Sequence, residues 1–407
     1  MNNLGNKIRI WRNYRKLTLE EVDHLTGIHY ARLSKFERGV EIPNQQMLAR
    51  IEKALNVSFD DLEEIDDEIE LLINKFIDTL FYLNEDYDDY LRIIEKRKED
   101  FILNQNYYKV QLIEYIIYVI QENAVEANKI ESILDKIVEK RTLYEQLYLE
   151  YKAINIYNLR KFQSAIDILE SAMAISSYNK SSAMIYYHLS ILYHGCARYE
   201  ESEKYIQKAK QLFVEGCSYK RVLNCDIQLA NYYIRVGRYD LAIDLLKSCI
   251  ETMRYLNVNT HTKALALRNT AWTYILLNEF DNSLKILEAA EQLEPENGNL
   301  ILYKIWCNYK LEKYNTAKEI ISDNYELSKD RNYGDRFQLF DYLVNQGKQR
   351  PAKRTITQAK KVYFKLADEQ RFGNLFFYLD ILIDLLERDG DKDELIHFLK
   401  IKGHLGK

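Results

Sequence analysis

Residues 17–58, LTLEEVDHLTGIHYARLSKFERGVEIPNQQMLARIEKALNVS, decide how the start of this chain is read. Thr18-Leu19-Glu20-Glu21 is a capping box, in which the Thr18 hydroxyl accepts from the Glu21 amide while the Glu21 carboxylate reaches back. The helix it opens runs to about Leu25, and Gly27 supplies a left-handed stop. A second helix, His29 to Glu37, carries Leu33 and Phe36 on one face and Arg32, Lys35 and Arg38 on another, before Gly39 ends it. Pro43-Asn44 starts a third, with Leu48, Ile51 and Leu55 aligned, and Ser58 begins a further one. Upstream, Gly5 to Arg15 reads as a helix bearing Ile8, Ile10, Trp11 and Tyr14. Two helices joined by a short glycine-containing turn form a helix-turn-helix unit, whose second helix enters the DNA major groove.

The rest of the composition points the same way. In 407 residues there are only 3 Pro and 13 Gly. So few breakers, with abundant Leu, Ile, Lys, Glu and Tyr, predict an all-α chain. The net charge of -5 excludes a uniformly basic surface, so contact with nucleic acid requires a local patch. Residues 1–60 hold ten Lys/Arg against seven Asp/Glu, which supplies one. The start, MNNLGNKIRIW, lacks the apolar core of a secretory signal, and no apolar run approaches the roughly 18 residues of a spanning helix. A cytoplasmic protein with no membrane partner is expected. Five cysteines without C-x-x-C spacing read as buried thiols.

The quoted stretch resembles the repressor-type (XRE) helix-turn-helix domain of phage repressors and bacterial regulators. Leu17-Thr18, Glu21-Val22, Gly27-Ile28, Leu33 through Gly39, Pro43, Leu48 and Ala54-Leu55-Asn56-Val57 carry the match. The resemblance implies that Tyr30, Ala31, Arg32, Ser34 and Lys35 face base edges of operator DNA. Arg32 would bond guanine and Ala31 would touch a thymine methyl. It places Arg12, Lys16, Arg38 and Asn44 at phosphates, which position without reading sequence. Three residues depart from the pattern: His29 replaces a Ser or Thr cap, Leu19 a polar residue, and Asp23 a small one.

Residues 61–70, DLEEIDDEIE, read as a solvated acidic helix face marking a domain boundary, with a helix-turn-helix domain over 1–65 and a repeat domain over 66–407. The repeats are clearest over 146–325. An aromatic followed three residues later by a small residue recurs as Phe162/Ala165, Tyr199/Ser202, Tyr239/Ala242, Phe280/Ser283 and Tyr314/Ala317. Nine residues before the first four aromatics stand Ala153, Ser190, Ala230 and Ala271; seven after the small residues come Ala172, Ala209, Cys249 and Ala290. Small residues at fixed positions let antiparallel helices approach closely. Segments 66–140 and 335–400 are helical by pattern, with no register assignable.

This pattern resembles tetratricopeptide repeats, which stack into a superhelix with a concave groove. The resemblance implies that Tyr157, Tyr187, His194, Asn224, Asn231, Arg235, Arg268 and Trp272 face the groove, with Asn269 beside them. An Asn amide offers both a donor and an acceptor to a peptide backbone. Arg235 and Arg268 could hold a carboxylate.

No phosphate-binding loop, zinc signature or nucleophile elbow is present, so neither cofactor nor metal is expected, nor an enzyme. His188, His194 and Cys196 read as structural. A repressor-type reader followed by such an array resembles the RRNPP group of peptide-responsive regulators in Gram-positive bacteria. This implies a homodimeric transcription factor whose array binds a short signalling peptide. The alternative is an adaptor that captures a protein partner, with DNA binding secondary. A phosphatase acting on a response regulator is a third reading for which no side chain can be nominated.

Overall fold

The computed structural model describes residues 4–84, 86–102, 104, 106–159, 161–175, 179–369 and 372–405. Among them every α or β element is helical. The chain opens with α1 (Leu4–Tyr14), α2 (Leu19–Thr26), α3 (Tyr30–Glu37), α4 (Gln45–Leu55) and a long α5 (Phe59–Tyr82). Then come α6 (Tyr87–Lys96), α7 (Lys98–Ile102), α8 (Tyr107–Ile120), α9 (Ala124–Ile137), α10 (Leu143–Asn158) and α11 (Phe162–Met173). Next are α12 (Asn179–Gly195), α13 (Tyr199–Glu215), α14 (Tyr219–Arg235), α15 (Tyr239–Thr252), α16 (Thr260–Leu276) and α17 (Phe280–Glu291). The chain closes with α18 (Gly298–Lys310), α19 (Tyr314–Asp323), a 3-10 turn, α20 (Gly334–Gln346), α21 (Lys353–Asp368), α22 (Phe372–Asp389) and α23 (Lys392–Leu405).

Two compact units divide the chain, residues 1–185 and 186–407, with the division inside α12. The first contains the helix-turn-helix head. Its capping box forms as expected: Glu21 N donates to Thr18 Oγ1 at 3.1 Å and Thr18 N to Glu21 Oε2 at 2.7 Å. Gly27 ends α2 at a φ of 66°. Ile8, Val22, Ile28, Leu33, Phe36, Ile51, Leu55 and Phe59 close one small core. A Cβ on Gly5 would stand 2.2 Å from the Phe36 carbonyl oxygen, so only glycine lets α1 approach α3 this closely.

The division expected at residue 65 falls in the middle of α5. Ile65 packs against the head core and also against the next cluster, built on Ile69, Ile73, Phe76 and the apolar face of α8. The acidic run is also more than a solvated face. Asp66 lies 2.8 Å from Lys7 Nζ of α1 and accepts from Asn106 Nδ2 at 2.8 Å. Glu68 meets Arg97 at 2.8 Å, and Glu70 takes both Lys109 and the Tyr144 hydroxyl. Glu64 and Asp67 are exposed, and the side chains of residues 60–63 lie outside the described set. An acidic run by itself could not show this, because its cationic partners Lys7, Arg97 and Lys109 come from other parts of the chain.

The repeat positions carry structure. Phe162, Tyr199, Tyr239, Phe280 and Tyr314 are the first residues of α11, α13, α15, α17 and α19. Their small partners Ala165, Ser202, Ala242, Ser283 and Ala317 are buried, as are Ala153, Ser190, Ala230 and Ala271 on the preceding helices. Two pairs touch directly: Ser202 Oγ donates to the Ser190 carbonyl at 2.8 Å and Ser283 Oγ to the Ala271 carbonyl at 2.9 Å. A larger side chain would push the helices apart and break packing at interior density. Outside the recurring stretch, α8 packs on α9, α20 on α21 and α22 on α23, so consecutive helices pair there too.

Candidate functional sites

The head presents α3. Tyr30, Ala31, Arg32 and Lys35 are exposed, Ser34 is half-buried, and Leu33 and Phe36 anchor the opposite face in the core. Two residues that depart from the resembled pattern explain how α3 begins. His29 Nδ1 accepts from Ala31 N at 3.3 Å, and Asp23 Oδ2 accepts from Tyr30 N at 2.9 Å. Two first-turn amides are thus capped by an imidazole and by a carboxylate from α2, which also suits the positive end of the helix. The His29 and Tyr30 rings lie 4.5 Å apart, which helps fix the Tyr30 side chain.

The four residues assigned to phosphates fare differently. Lys16 is exposed, in left-handed conformation in the turn after α1. Arg38 is exposed and donates from Nε to the Ser34 carbonyl at 3.1 Å. Asn44 caps α4, its Oδ1 accepting from Met47 N at 2.9 Å, so its oxygen has a structural task. Arg12 requires a correction. It donates to Glu37 through Nε at 2.6 Å and Nη2 at 3.0 Å, and through Nη1 to the Leu17 carbonyl at 2.8 Å. Its side chain is 15% exposed, and the Glu37 hydrogen bond raises its pKa. Arg12 therefore clamps α1 to α3 rather than offering a charge outward.

In the second unit, helices α12, α14 and α16 bring polar side chains together. Asn269 Nδ2 donates to Asn231 Oδ1 at 2.8 Å, and Asn231 Nδ2 to Gln228 Oε1 at 3.4 Å. Gln228 Nε2 and His194 Nδ1 are buried with no hydrogen-bond partner. Burial pushes the His194 pKa down to about 3, helped by nearby Arg235, so its ring is neutral. Arg235 is lowered by burial among Tyr199, Tyr303 and Tyr239. Tyr187 sits edge-on to Phe213 and below Arg221, its pKa pushed up to about 12 by burial. Asn224, three turns before Arg235 on α14, is half-buried. Tyr157 lies in the first unit, its ring 5.4 Å from Phe162.

Two of the residues assigned to the groove have partners of their own. Trp272 is 7% exposed, stacked 5.1 Å from Tyr303 and edge-on to Phe377 at 4.9 Å, which places it in the core. Arg268 is held by Glu294 at 3.0 Å, so it is not an open cation. Repeat position alone could not foresee either, since Phe377 and Glu294 arrive from elsewhere in the chain. Gln228 was missed although helical spacing could have marked it: it stands four residues after Asn224 and three before Asn231.

Comparison with known families matches residues 8–62 to the helix-turn-helix family and residues 181–254 to the tetratricopeptide repeat. No curated protein matches the sequence. Among solved structures, a Rap protein complexed with Competence and Sporulation Factor is similar at a TM-score of 0.69 and 16% identity, over 82% of this chain and 96% of that one. The apo form of the quorum sensor NprR from B. thuringiensis is similar at 0.64 and 13%, over 84% and 100%. NprR in complex with its cognate peptide NprX is similar at 0.56 and 17%, over 79% and 99%. The chain is thus an all-α protein joining a helix-turn-helix domain to tetratricopeptide repeats. This is the architecture of the RRNPP-type regulators that its sequence resembles.

Proposed function

We propose that this protein is a DNA-binding transcriptional regulator controlled by a short peptide held on the inner face of its second unit. The observation that carries the reading is the amide cluster of Gln228, Asn231 and Asn269, with unsatisfied polar atoms on Gln228 and His194. Buried polar groups are rarely left unpaired unless something else pairs with them. Amide side chains and a neutral imidazole suit an extended backbone, which presents N–H and C=O groups in alternation. Arg235 adds a cation for a ligand carboxylate. That NprR binds a cognate peptide supports the reading by fold.

The exposed row of Tyr30, Ala31, Arg32 and Lys35 supports reading of double-stranded operator DNA, with Lys16 and Arg38 at phosphates. A two-fold reader needs half-sites about one helical turn apart, so a homodimer in the cytoplasm fits this role. A ligand that prefers one dimer arrangement would shift DNA affinity; one binding both equally would change nothing. The test separates the halves. Arg32→Ala with Lys35→Ala should abolish DNA binding and spare peptide binding, while Asn231→Ala should do the reverse. Joint loss in either variant, with folding intact by circular dichroism, would refute the division of labour. A pull-down returning a single stoichiometric protein, with no heat from a peptide pool in calorimetry, would instead support an adaptor.

A further inference from the structure

The head carries an anion beside its reading helix. Glu41 lies in the turn between α3 and α4, and its Oε1 accepts from Arg32 Nε at 2.7 Å and stands 2.5 Å from Arg32 Nη2. This turn is tied down. Val40 N and Glu41 N donate to the Lys35 carbonyl at 2.9 and 3.4 Å, and Pro43 is buried just ahead of the capped start of α4. The Arg32 guanidinium carbon also lies 5.7 Å from the ring centre of Phe36, a residue fixed in the core. A carboxylate therefore grips the arginine along one edge while an aromatic ring lies against it.

The geometry leaves the reading edge open. A guanidinium has five N–H donors in a rigid planar fork. Glu41 engages the edge formed by Nε and one Nη2 hydrogen. The remaining end, Nη1 with the second Nη2 hydrogen, carries two parallel donors, the pattern accepted by O6 and N7 of guanine in the major groove. An unheld arginine must lose its rotamer freedom on binding, a cost that a side chain already held in place does not meet again. A carboxylate near phosphates also penalises complexes in which Arg32 finds no base partner.

We propose that Glu41 is a positioning residue that presets Arg32 to read guanine and so sharpens discrimination at one base pair of each half-site. The proposal rests on the DNA-reading function above and names a determinant outside the reading helix. Its test is selection of bound sequences from a randomised duplex pool, using the full-length chain and its Arg32→Ala, Glu41→Gln and Glu41→Ala variants. The wild type should select guanine at one position per half-site, and Arg32→Ala should erase that preference. Both Glu41 variants should weaken the preference roughly two- to tenfold, with affinity for random duplex unchanged or raised. Their melting temperatures should match the wild type, since the ion pair is solvent-exposed. A Glu41 variant that binds every duplex more tightly with an unaltered base profile would show a mere neutraliser and overturn the proposal. So would an Arg32→Ala protein that keeps the guanine preference. A wild type that selects no sequence at all would instead remove the DNA-reading function on which the proposal stands.

Discussion

Arg12 shows how one side chain's role turns on its surroundings. Its position in the resembled pattern suggests a phosphate contact, yet Glu37 and the Leu17 carbonyl take three of its donors. Removing one member of such a pair leaves the other charge uncompensated, so Arg12→Ala should destabilise the protein by about 3 kcal/mol in urea unfolding. Salt-dependence of DNA binding gives the complementary check. Arg12→Gln, assayed well below its melting temperature, should leave the slope of affinity against salt unchanged, whereas loss of a true phosphate contact would reduce it by about one. His194 offers a second prediction at this scale. Its folded pKa of about 3 lies below its ordinary value, so the unfolded chain binds a proton that the folded one refuses. Stability should therefore be full above about pH 6.5 and fall as pH drops toward 3. In a Trp11→Phe background, urea midpoints followed by tryptophan fluorescence at pH 7 and pH 4.5 should differ less for His194→Gln than for its parent.

At the scale of elements, α5 matters most. It is 24 residues long, closes the head core with Phe59 and continues into the next cluster through Ile69, Ile73 and Phe76. Its Asp66 binds Lys7 of α1 and Asn106 at the start of α8, so the reader is joined to the first helical pairs by a shared helix and a polar junction. Lys7 is buried, and Asp66→Ala would leave its charge without a carboxylate. The expected result is faster amide exchange in α1 and the start of α5 and a stability loss of about 3 kcal/mol. Replacing both partners, Lys7→Met with Asp66→Leu, should restore most of that loss, because a well-packed apolar pair needs no desolvated charge. Unchanged exchange in the single variant would show the junction to be incidental. Among the paired helices, Ser202 and Ser283 are equally telling. Each is fully enclosed and bonded to the helix before it, so Ser283→Leu should overpack the α16–α17 interface and cost about 1–3 kcal/mol.

For the whole molecule, the proposed function predicts two separable responses. The logarithm of DNA affinity should fall steeply and linearly with the logarithm of salt concentration, as it does when several phosphates are neutralised. A bound peptide should raise the melting temperature in proportion to the logarithm of its concentration, and Asn231→Ala should abolish that rise while leaving the salt slope intact. A rise that survives Asn231→Ala would place the ligand elsewhere. Much of this was legible from local order. Capping residues, helix stops and the recurrence of aromatic and small residues at fixed spacing are short-range signals, and they determined the all-α class, the helix-turn-helix head and the helix pairs from α10 to α19. Partners distant in the chain were not legible. Tertiary structure alone decided that Arg12 faces Glu37, that Phe377 covers Trp272, that Glu294 holds Arg268 and that Asp66 ties α1 to the start of α8. The reason is physical: a helix's periodicity reports which face is apolar, but not which remote side chain will meet its polar face. Only the folded chain brings those charges and rings within reach of one another.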